Sequence, residues 1–163
     1  MNTTDAYCFR PVIVSDLPLL AGWRAAEHVV EWWGAPEIEK ETEKLADSRI
    51  SMWIVEHNDR PFAFAQDYDV HGWDPHPFSY LPSGARGIDQ YIGEADMLGK
   101  GHGTAFVRAH VQRLFAQGAP TVGTDPNPNN MRARRAYEKA GFILVAGPII
   151  TRWGEAVLME CRR

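Results

Sequence analysis

A short glycine-rich stretch, residues 98–104, has the residue types best suited to binding an anion. It reads Leu-Gly-Lys-Gly-His-Gly-Thr, and glycine at alternate positions indicates a turn because glycine tolerates positive φ and weakens regular elements. A strand-like alternation precedes it at 88–93, and apolar residues at helical spacing follow it from Val107 to Phe115. A strand, a glycine turn and a helix together direct free backbone N–H groups and a helix dipole at an anion. The alternative is an ordinary loop before a helix.

The elements that must position this turn are those of a mixed α and β protein. We predict roughly seven strands and four helices, which implies an α+β or α/β fold with a mixed sheet. The strands are predicted at 7–14, 50–56, 61–68, 86–93, 121–124, 142–149 and 155–161. The helices are predicted after Ser15 or Asp16 as the cap, over 36–47, after the glycine turn to 117, and over 131–139. Pro11 inside the first strand indicates a strand at the edge of the sheet.

Length and composition favour one domain, residues 1–163, with a real core. The apolar content of 45% and charged content of 23% are typical of a soluble globular protein. We expect the protein in the cytoplasm because no signal peptide or membrane span is apparent. A net charge of −4 argues against a nucleic-acid partner and weakly favours a cationic ligand. Cys8 and Cys161 are expected to be free thiols, although a disulfide between terminal strands stays open.

Two other segments have unusual residue types. Trp32 and Trp33 are adjacent, so they face different ways and fit neither a helix stripe nor a strand. Either one lies in the core and the other is partly exposed, or both form a wall of a substrate cleft, flanked by the charged helix at 36–47 with Ile38, Thr42 and Leu45 on its apolar side. The loop at 69–86 is rich in glycine, proline and histidine, but its histidines lack metal-ligand spacing, so no metal site is predicted.

Three motifs together resemble a known family. They are Gly-Ile-Asp-Gln at 87–90, the glycine turn, and a stretch from 124 to 142 whose residues from Asn130 onward match N-x-x-A-x-x-x-Y-x-K-x-G-F. Over nearly the whole chain the sequence resembles the GNAT superfamily of acetyl-CoA-dependent N-acetyltransferases, and it looks most like the aminoglycoside 6′-N-acetyltransferases. The segment 28–34 adds to this likeness. The resemblance implies a mixed, mostly antiparallel sheet, whereas Leu98 departs from the Gln or Arg of many members and the loop at 69–86 has little similarity.

The resemblance also implies an acetyl-CoA site. The backbone amides of the glycine turn are expected to hold the CoA pyrophosphate at the helix N-terminus, with Lys100 and His102 adding positive charge. The pantetheine arm is expected in a gap beside the strand at 88–93, within reach of Asn130, which is otherwise a plain helix cap. The implied acetyl-CoA contacts are Ile92, Leu98, Gly99, Lys100, Gly101, His102, Gly103, Thr104, Asn130 and Ala133.

The catalytic residues implied by the resemblance are Asp89 and Tyr137. Asp89 is the candidate general base, acting directly or through water, and Tyr137 is the candidate general acid toward the CoA sulfur, unless it is only a core aromatic. Asp125 is expected to be a second anionic contact for the substrate, or else a turn residue before proline. Trp32 and Trp33 are expected to form an apolar wall against which a substrate ring stacks.

These roles predict direct transfer of an acetyl group to a primary amine of a cationic small molecule, with the 6′-amino group of an aminoglycoside as the leading candidate. A siderophore precursor of the hydroxylysine type, a polyamine and a protein N-terminus are alternative acceptors. A non-catalytic CoA-binding module is the alternative from another class, and the presence of both Asp89 and Tyr137 argues against it. The protein is expected to be a monomer or a homodimer.

Overall fold

A computed structural model describes residues 6–163, and the strands of this part form one seven-stranded sheet in the order β1-β2-β3-β4-β5-β7-β6. The strands are β1 (Tyr7–Pro11), β2 (Ile50–His57), β3 (Arg60–Asp69), β4 (Arg86–Ile92), β5 (Thr121–Thr124), β6 (Ile143–Thr151) and β7 (Gly154–Arg162). The helices are α1 (Leu17–Ala25), α2 (Glu27–Trp33), α3 (Ile38–Ala46), α4 (His102–Ala116) and α5 (Met131–Ala140). The α+β class is confirmed, with one helix more than predicted.

The sheet is mostly antiparallel. β1 pairs with β2, β5 with β7, and β6 with β7 in antiparallel fashion, whereas β4 and β5 are parallel. Strand β1 lies at one edge, as Pro11 predicts, because an edge strand tolerates the missing N–H of proline. The β2–β3 hairpin turns at Asn58 and Asp59, which both have positive φ, as two-residue hairpin turns require.

By the clustering of its contacts the chain divides into two compact units. The first unit contains the residues up to Asp67 together with Gln90–Gly103. Its apolar core is formed by Val12, Leu20, Trp23, Val29, Met52, Ile54, Phe64 and Tyr91. The Trp23 ring lies directly on the backbone of Gly93, where a Cβ atom would be 2.2 Å from the indole, so only glycine fits there.

The N-terminal helices of this unit correct three predictions. Residues 27–33 form a helix, which the sequence does not predict. The helix is short and Val29 is its buried residue, so the two tryptophans at its end can face different ways. Asp16 is the N-terminal cap of α1 by position, but its carboxylate accepts from the N–H of Ile13 and the guanidinium of Arg10 and not from the helix. In α3 the expected apolar residue Ile38 is 43% exposed.

The buried face of α3 is polar. Glu41 is buried there and pairs with Arg24 at 2.6 Å, and Thr42 is exposed, so of the three residues expected to pack only Leu45 lies against the core. A carboxylate is tolerated inside because the guanidinium compensates its charge. Charge pairing thus replaces the apolar packing that the spacing predicts.

The second unit comprises Tyr68–Asp89 and Thr104–Arg163. Helix α4 buries an apolar stripe that includes Phe106, Val111 and Leu114, and it ends before Gly118, whose φ of +102° suits a helix end. Helix α5 ends likewise before Gly141 at φ +108°. The loop at 70–85 is anchored inside this unit, because Phe78 is fully buried and a ring nitrogen of His71 hydrogen-bonds the carbonyl of Leu81 at 2.9 Å.

Both cysteines, Cys8 and Cys161, are free thiols, and Cys161 is the buried one. Across residues 6–163, no helix has the length and apolar character that crossing a membrane requires. Within the same residues no group of three or more His, Cys, Asp or Glu side chains is arranged to hold a metal ion.

Candidate active site

Two carboxylates of the second unit, one on β4 and one just after β5, lie near each other. In the parallel pair β4–β5, Gly87 lies opposite Gly123, and the Thr124 hydroxyl donates to the Ile88 carbonyl at 3.2 Å. Asp89 follows Gly87 by two residues, and Asp125 follows Gly123 by two. Asp125 directly follows the last residue of β5, and the charge of Asp89 acts on its pKa, so the two carboxylates lie close to each other. We call them the carboxylate pair.

The carboxylate pair resists full ionisation. Burial raises the pKa of Asp125 well above its usual value, and the negative charge of Asp89 raises that pKa further. Two carboxylates at one site cannot both ionise without mutual repulsion, so the protons of such a pair belong to both groups together. A bound cation relieves this repulsion, so the pair is suited to bind an ammonium group and to accept its proton.

Two aromatic rings rest on the glycines beside the carboxylate pair. A Cβ atom on Gly87 would lie 2.3 Å from Cζ of Tyr68, and one on Gly123 would lie 2.9 Å from the ring of Phe78. These distances are far below van der Waals contact, so any larger residue would expel the ring. Close packing of the Tyr68 ring therefore explains why the Gly-Ile-Asp-Gln motif begins with glycine. No sequence motif indicates that Tyr68 lies beside the site.

The tip of the β6–β7 hairpin contacts the loop at 70–85. A guanidinium N–H of Arg152 donates to the Pro75 carbonyl, and the same guanidinium stacks over Trp153 at 4.8 Å. The Trp153 ring lies 5.4 Å from the ring of His76, centroid to centroid. His76 is buried and its Nδ1 accepts from the N–H of Phe78 at 3.1 Å, while burial, and then the charge of Arg152, lower its pKa to about 4. The contacts of the neutral His76 and of Arg152 at the hairpin tip thus hold the loop in place.

Helix α5 carries two of the predicted residues. Asn130 is its N-terminal cap and accepts from the N–H of Ala133 at 3.2 Å, so its capping interpretation is confirmed. Tyr137 is 7% exposed and packs on Phe142 with ring centroids 5.5 Å apart. Both residues therefore have structural roles, and their proposed roles toward acetyl-CoA are additional to these.

The glycine turn lies in the first unit except for Thr104. Gly99 and Gly101 have φ of +70° and +84°, and no atom lies within 4 Å of a Cβ built on either, so backbone conformation and not packing requires glycine there. Helix α4 begins at His102, which places Gly103 and Thr104 in its first turn. The Ile92 side chain lies beside Gly103, and Lys100 is exposed. The turn therefore has an open backbone and an exposed cation, two features that favour an anion site.

His102 belongs to an aromatic cluster that the sequence does not reveal. Its Nδ1 is 2.9 Å from the Tyr7 hydroxyl, and its ring centroid is 4.8 Å from that of His57 and 5.5 Å from that of Phe62. Burial, followed by the charges of His57 and Lys100, lowers the pKa of His102. Tyr7 and His57 come from β1 and β2, far from the turn in sequence, so no local motif could have indicated them.

The tryptophan pair divides between core and surface. Trp33 is half-buried, with its ring edge-on to Tyr91 at 4.9 Å and under the guanidinium of Arg24 at 5.4 Å. Trp32 is 38% exposed. Trp33 thus packs against the apolar core and Trp32 is partly exposed, as the first interpretation expects, and a role of either ring toward a substrate stays a prediction.

Comparison with known proteins now identifies the family. Residues 12–147 match the acetyltransferase (GNAT) domain family. This match covers most of the sequence, so the chain belongs to the GNAT acetyltransferase family.

Within that family the chain is similar to aminoglycoside-modifying enzymes. It is 38% identical to the aminoglycoside N(6′)-acetyltransferase type 1 of Klebsiella pneumoniae over 97% of this chain and 84% of that protein. It is 52% identical to a kanamycin resistance protein of Rhizobium radiobacter, over 47% of this chain and 70% of that protein. The solved structure of AAC(6′)-Ib in complex with paromomycin and acetyl-CoA superposes with a TM-score of 0.88 at 38% identity, covering 98% and 94% of the two chains.

Proposed function

We propose that this protein transfers the acetyl group of acetyl-CoA to the 6′-amino group of an aminoglycoside. The observation that carries the proposal is the carboxylate pair of Asp89 and Asp125 in a chain similar over nearly its whole length to an aminoglycoside N(6′)-acetyltransferase. An aminoglycoside carries several ammonium groups, and two adjacent carboxylates favour such a ligand over a singly charged amine. The exposed ring of Trp32 offers an apolar surface against which a sugar ring stacks.

The glycine turn is the proposed site for the CoA pyrophosphate. Its backbone fits this role, because Gly99 and Gly101 have positive φ with open space around them and α4 begins immediately afterwards. Lys100 and His102 add positive charge, and Leu98, Gly103 and Thr104 complete the turn. Backbone N–H groups do most of this work, so Leu98 in place of Gln or Arg is compatible with it. Ile92, Asn130 and Ala133 are the proposed further contacts of the co-substrate.

The proposed chemistry is direct attack of a neutral amine on the acetyl carbonyl. The amine reaches the site as an ammonium ion and must lose a proton before it attacks. A carboxylate of ordinary pKa is a weak base, but the raised pKa of Asp125 beside Asp89 makes the pair a better proton acceptor than either alone. We therefore assign the base to the pair rather than to Asp89 alone. Tyr137 is the proposed donor of the proton that the departing CoA thiolate takes up.

The decisive test uses two aminoglycosides that differ only at position 6′, such as neomycin with an amino group and paromomycin with a hydroxyl group there. Release of free CoA thiol is followed with the full chain and acetyl-CoA, and the product of each reaction is located by NMR. We expect turnover with the 6′-amino compound and at least 100-fold less with its partner, by the usual cost of removing the reacting group. Equal rates with both, or turnover only with spermidine or a peptide N-terminus, would refute the proposal.

A further inference from the structure

We infer that Tyr68 is a positioning residue for the carboxylate pair: its hydroxyl, fixed over the β4 backbone at Gly87, donates a hydrogen bond to the ionised pair through one water molecule. This inference rests on the proposed function, because it assigns Tyr68 a part in preparing the carboxylates for the amine. Its consequence is that Tyr68 sets the pH at which the pair becomes ready to accept a proton.

The position of the hydroxyl follows from the contact with Gly87. Tyr68 lies near the end of β3 and is 8% exposed. A Cβ atom on Gly87 would lie 2.3 Å from Cζ and 2.6 Å from the hydroxyl oxygen of Tyr68. The polar end of the ring therefore lies over β4 itself, two residues before Asp89 and on the same face of the strand. A tyrosine serving only as apolar filling would not need its hydroxyl at this place.

The ring has little freedom to leave this position. Trp73 packs edge-on against it with centroids 5.4 Å apart, and His76 lies edge-on at 5.4 Å. Both neighbours belong to the loop at 70–85, which Phe78 and the hairpin tip fasten. The loop thus holds the Tyr68 hydroxyl in place beside the carboxylates.

The chemistry of the group fits a donor. Burial raises the pKa of the Tyr68 hydroxyl well above its usual value, and the negative charges of Asp89 and then Asp125 raise it further. The phenol therefore keeps its proton throughout the neutral range and offers an O–H to any carboxylate within reach. Hydrogen bonding to the ionised form lowers the pKa of a carboxyl group, which opposes the effect of burial on Asp125.

Three other polar groups of this unit, His76, Arg152 and Thr124, make hydrogen bonds to the backbone. His76 on the loop is neutral above a pH of about 4, and its Nδ1 already accepts from the N–H of Phe78. Arg152 at the hairpin tip donates to the Pro75 carbonyl, and the Thr124 hydroxyl donates to Ile88. The Tyr68 hydroxyl is the neutral donor that the packing against Gly87 brings to this face.

The test compares wild type with Tyr68→Phe, which retains the ring and removes only the hydroxyl. The full chain is labelled with ¹³C at the aspartate carboxyl carbons, and Asp89→Asn and Asp125→Asn assign the two resonances. We expect the titration midpoint of the pair to rise by about 1 pH unit in Tyr68→Phe, because a donor to the ionised form is lost. The acidic limb of kcat/KM should move upward by the same amount, so that activity recovers at high pH.

Tyr80→Phe is the matched control. The Tyr80 hydroxyl donates to the buried Glu160 at 2.5 Å in the same unit, so its removal also deletes a tyrosine–carboxylate hydrogen bond, here a partly buried one, but leaves the carboxylate pair untouched. An unchanged titration in Tyr68→Phe, or a titration that moves equally in both variants, would overturn the inference. Since the titration needs no substrate, a wild type that acetylates no aminoglycoside refutes the proposed function and leaves this measurement valid.

Discussion

The hydroxyl of Tyr7 lies 2.9 Å from Nδ1 of His102, which joins the edge strand β1 to the first residue of α4. Burial raises the pKa of Tyr7, so its hydroxyl stays protonated through the neutral range. In the tautomer whose Nδ1 accepts from this hydroxyl, His102 carries its proton on Nε2. An edge strand thereby contacts and orients a residue of the proposed pyrophosphate site.

We predict that acetyl-CoA binds more tightly as the pH falls from about 8 to about 5. The pKa of His102 is lowered in the free protein, and a bound pyrophosphate stabilises the imidazolium, so binding takes up a proton. The expected gain in affinity is roughly tenfold. Calorimetry in two buffers of different ionisation enthalpy measures the proton uptake. His102→Leu should abolish it, and Lys100→Ala should weaken binding at every pH without abolishing it; proton uptake that persists in His102→Leu would exclude this role.

Replacing either member of the carboxylate pair is expected to separate activity from stability. Asp89→Asn and Asp125→Asn should each lower kcat/KM by about 10²–10⁴-fold, because an amide cannot accept the proton. Asp125→Asn should also raise the melting temperature at neutral pH. The folded-state pKa of Asp125 is raised, so its ionisation costs stability as the pH rises from the unfolded to the folded pKa, and an amide escapes this cost.

The control for this experiment is Asp96→Asn. Asp96 is an exposed carboxylate that pairs with Arg60 at 2.8 Å, so the substitution makes the same chemical change away from the pair. Its kcat/KM should equal that of wild type. A melting temperature of Asp125→Asn below that of wild type at neutral pH would contradict the assignment of a costly charge to Asp125.

The buried ion pair of Arg24 and Glu41 is expected to be important for stability. Glu41→Gln should lower the free energy of unfolding by about 3–5 kcal/mol, because it leaves the buried guanidinium uncompensated. Glu37→Gln is the matched control, since Glu37 pairs with Lys40 at the same distance of 2.6 Å but at the surface, and its cost should stay below about 1 kcal/mol. Urea unfolding measures both free energies. Equal losses in the two variants would show that burial does not determine how much an ion pair contributes to stability.

The hairpin tip is expected to control the order of the loop at 70–85. Arg152→Ala removes the donor to the Pro75 carbonyl and the stacking on Trp153, so amide hydrogen exchange at residues 76–81 should become about 10-fold faster. Ile150→Ser is the control, because Ile150 is almost fully exposed near the same tip. Mass spectrometry measures the exchange. Equal exchange rates in wild type and Arg152→Ala would show that the contacts of Arg152 do not order the loop.

The sequence predicts the elements around the glycine turn well, because there the local rules agree. Three features depend only on neighbouring residues in the chain: the glycines at positive φ, the 3.6-residue period of the helix and the N-terminal cap at Asn130. The spacing of apolar residues does not predict the helix at 27–33, because a helix of two turns has too few buried positions to show a period. Its two tryptophans face different environments, and this follows from tertiary packing.

The candidate site could be predicted only where its residues lie in motifs. Asp89 and Asp125 stand in recognisable stretches, but their pairing depends on the parallel register of β4 and β5. Tyr68 and Tyr7 reach their sites by contacts across strands, and no spacing in the chain encodes those contacts. The buried Glu41 shows the same limit, because its partner Arg24 is 17 residues away on another helix.

The two glycines beneath Tyr68 and Phe78 also affect how this protein can change during evolution. Phe78 comes from the loop at 70–85, whereas Gly123 and the carboxylates belong to the strand region. A smaller residue at 78 would open space above β5 without altering the strand or moving an aspartate. We therefore expect single substitutions in this loop, which carries none of the proposed proton-transfer groups, to change the space beside the carboxylates. Gly87 and Gly123 leave no such latitude in the strands, because a side chain at either position would collide with the ring above it.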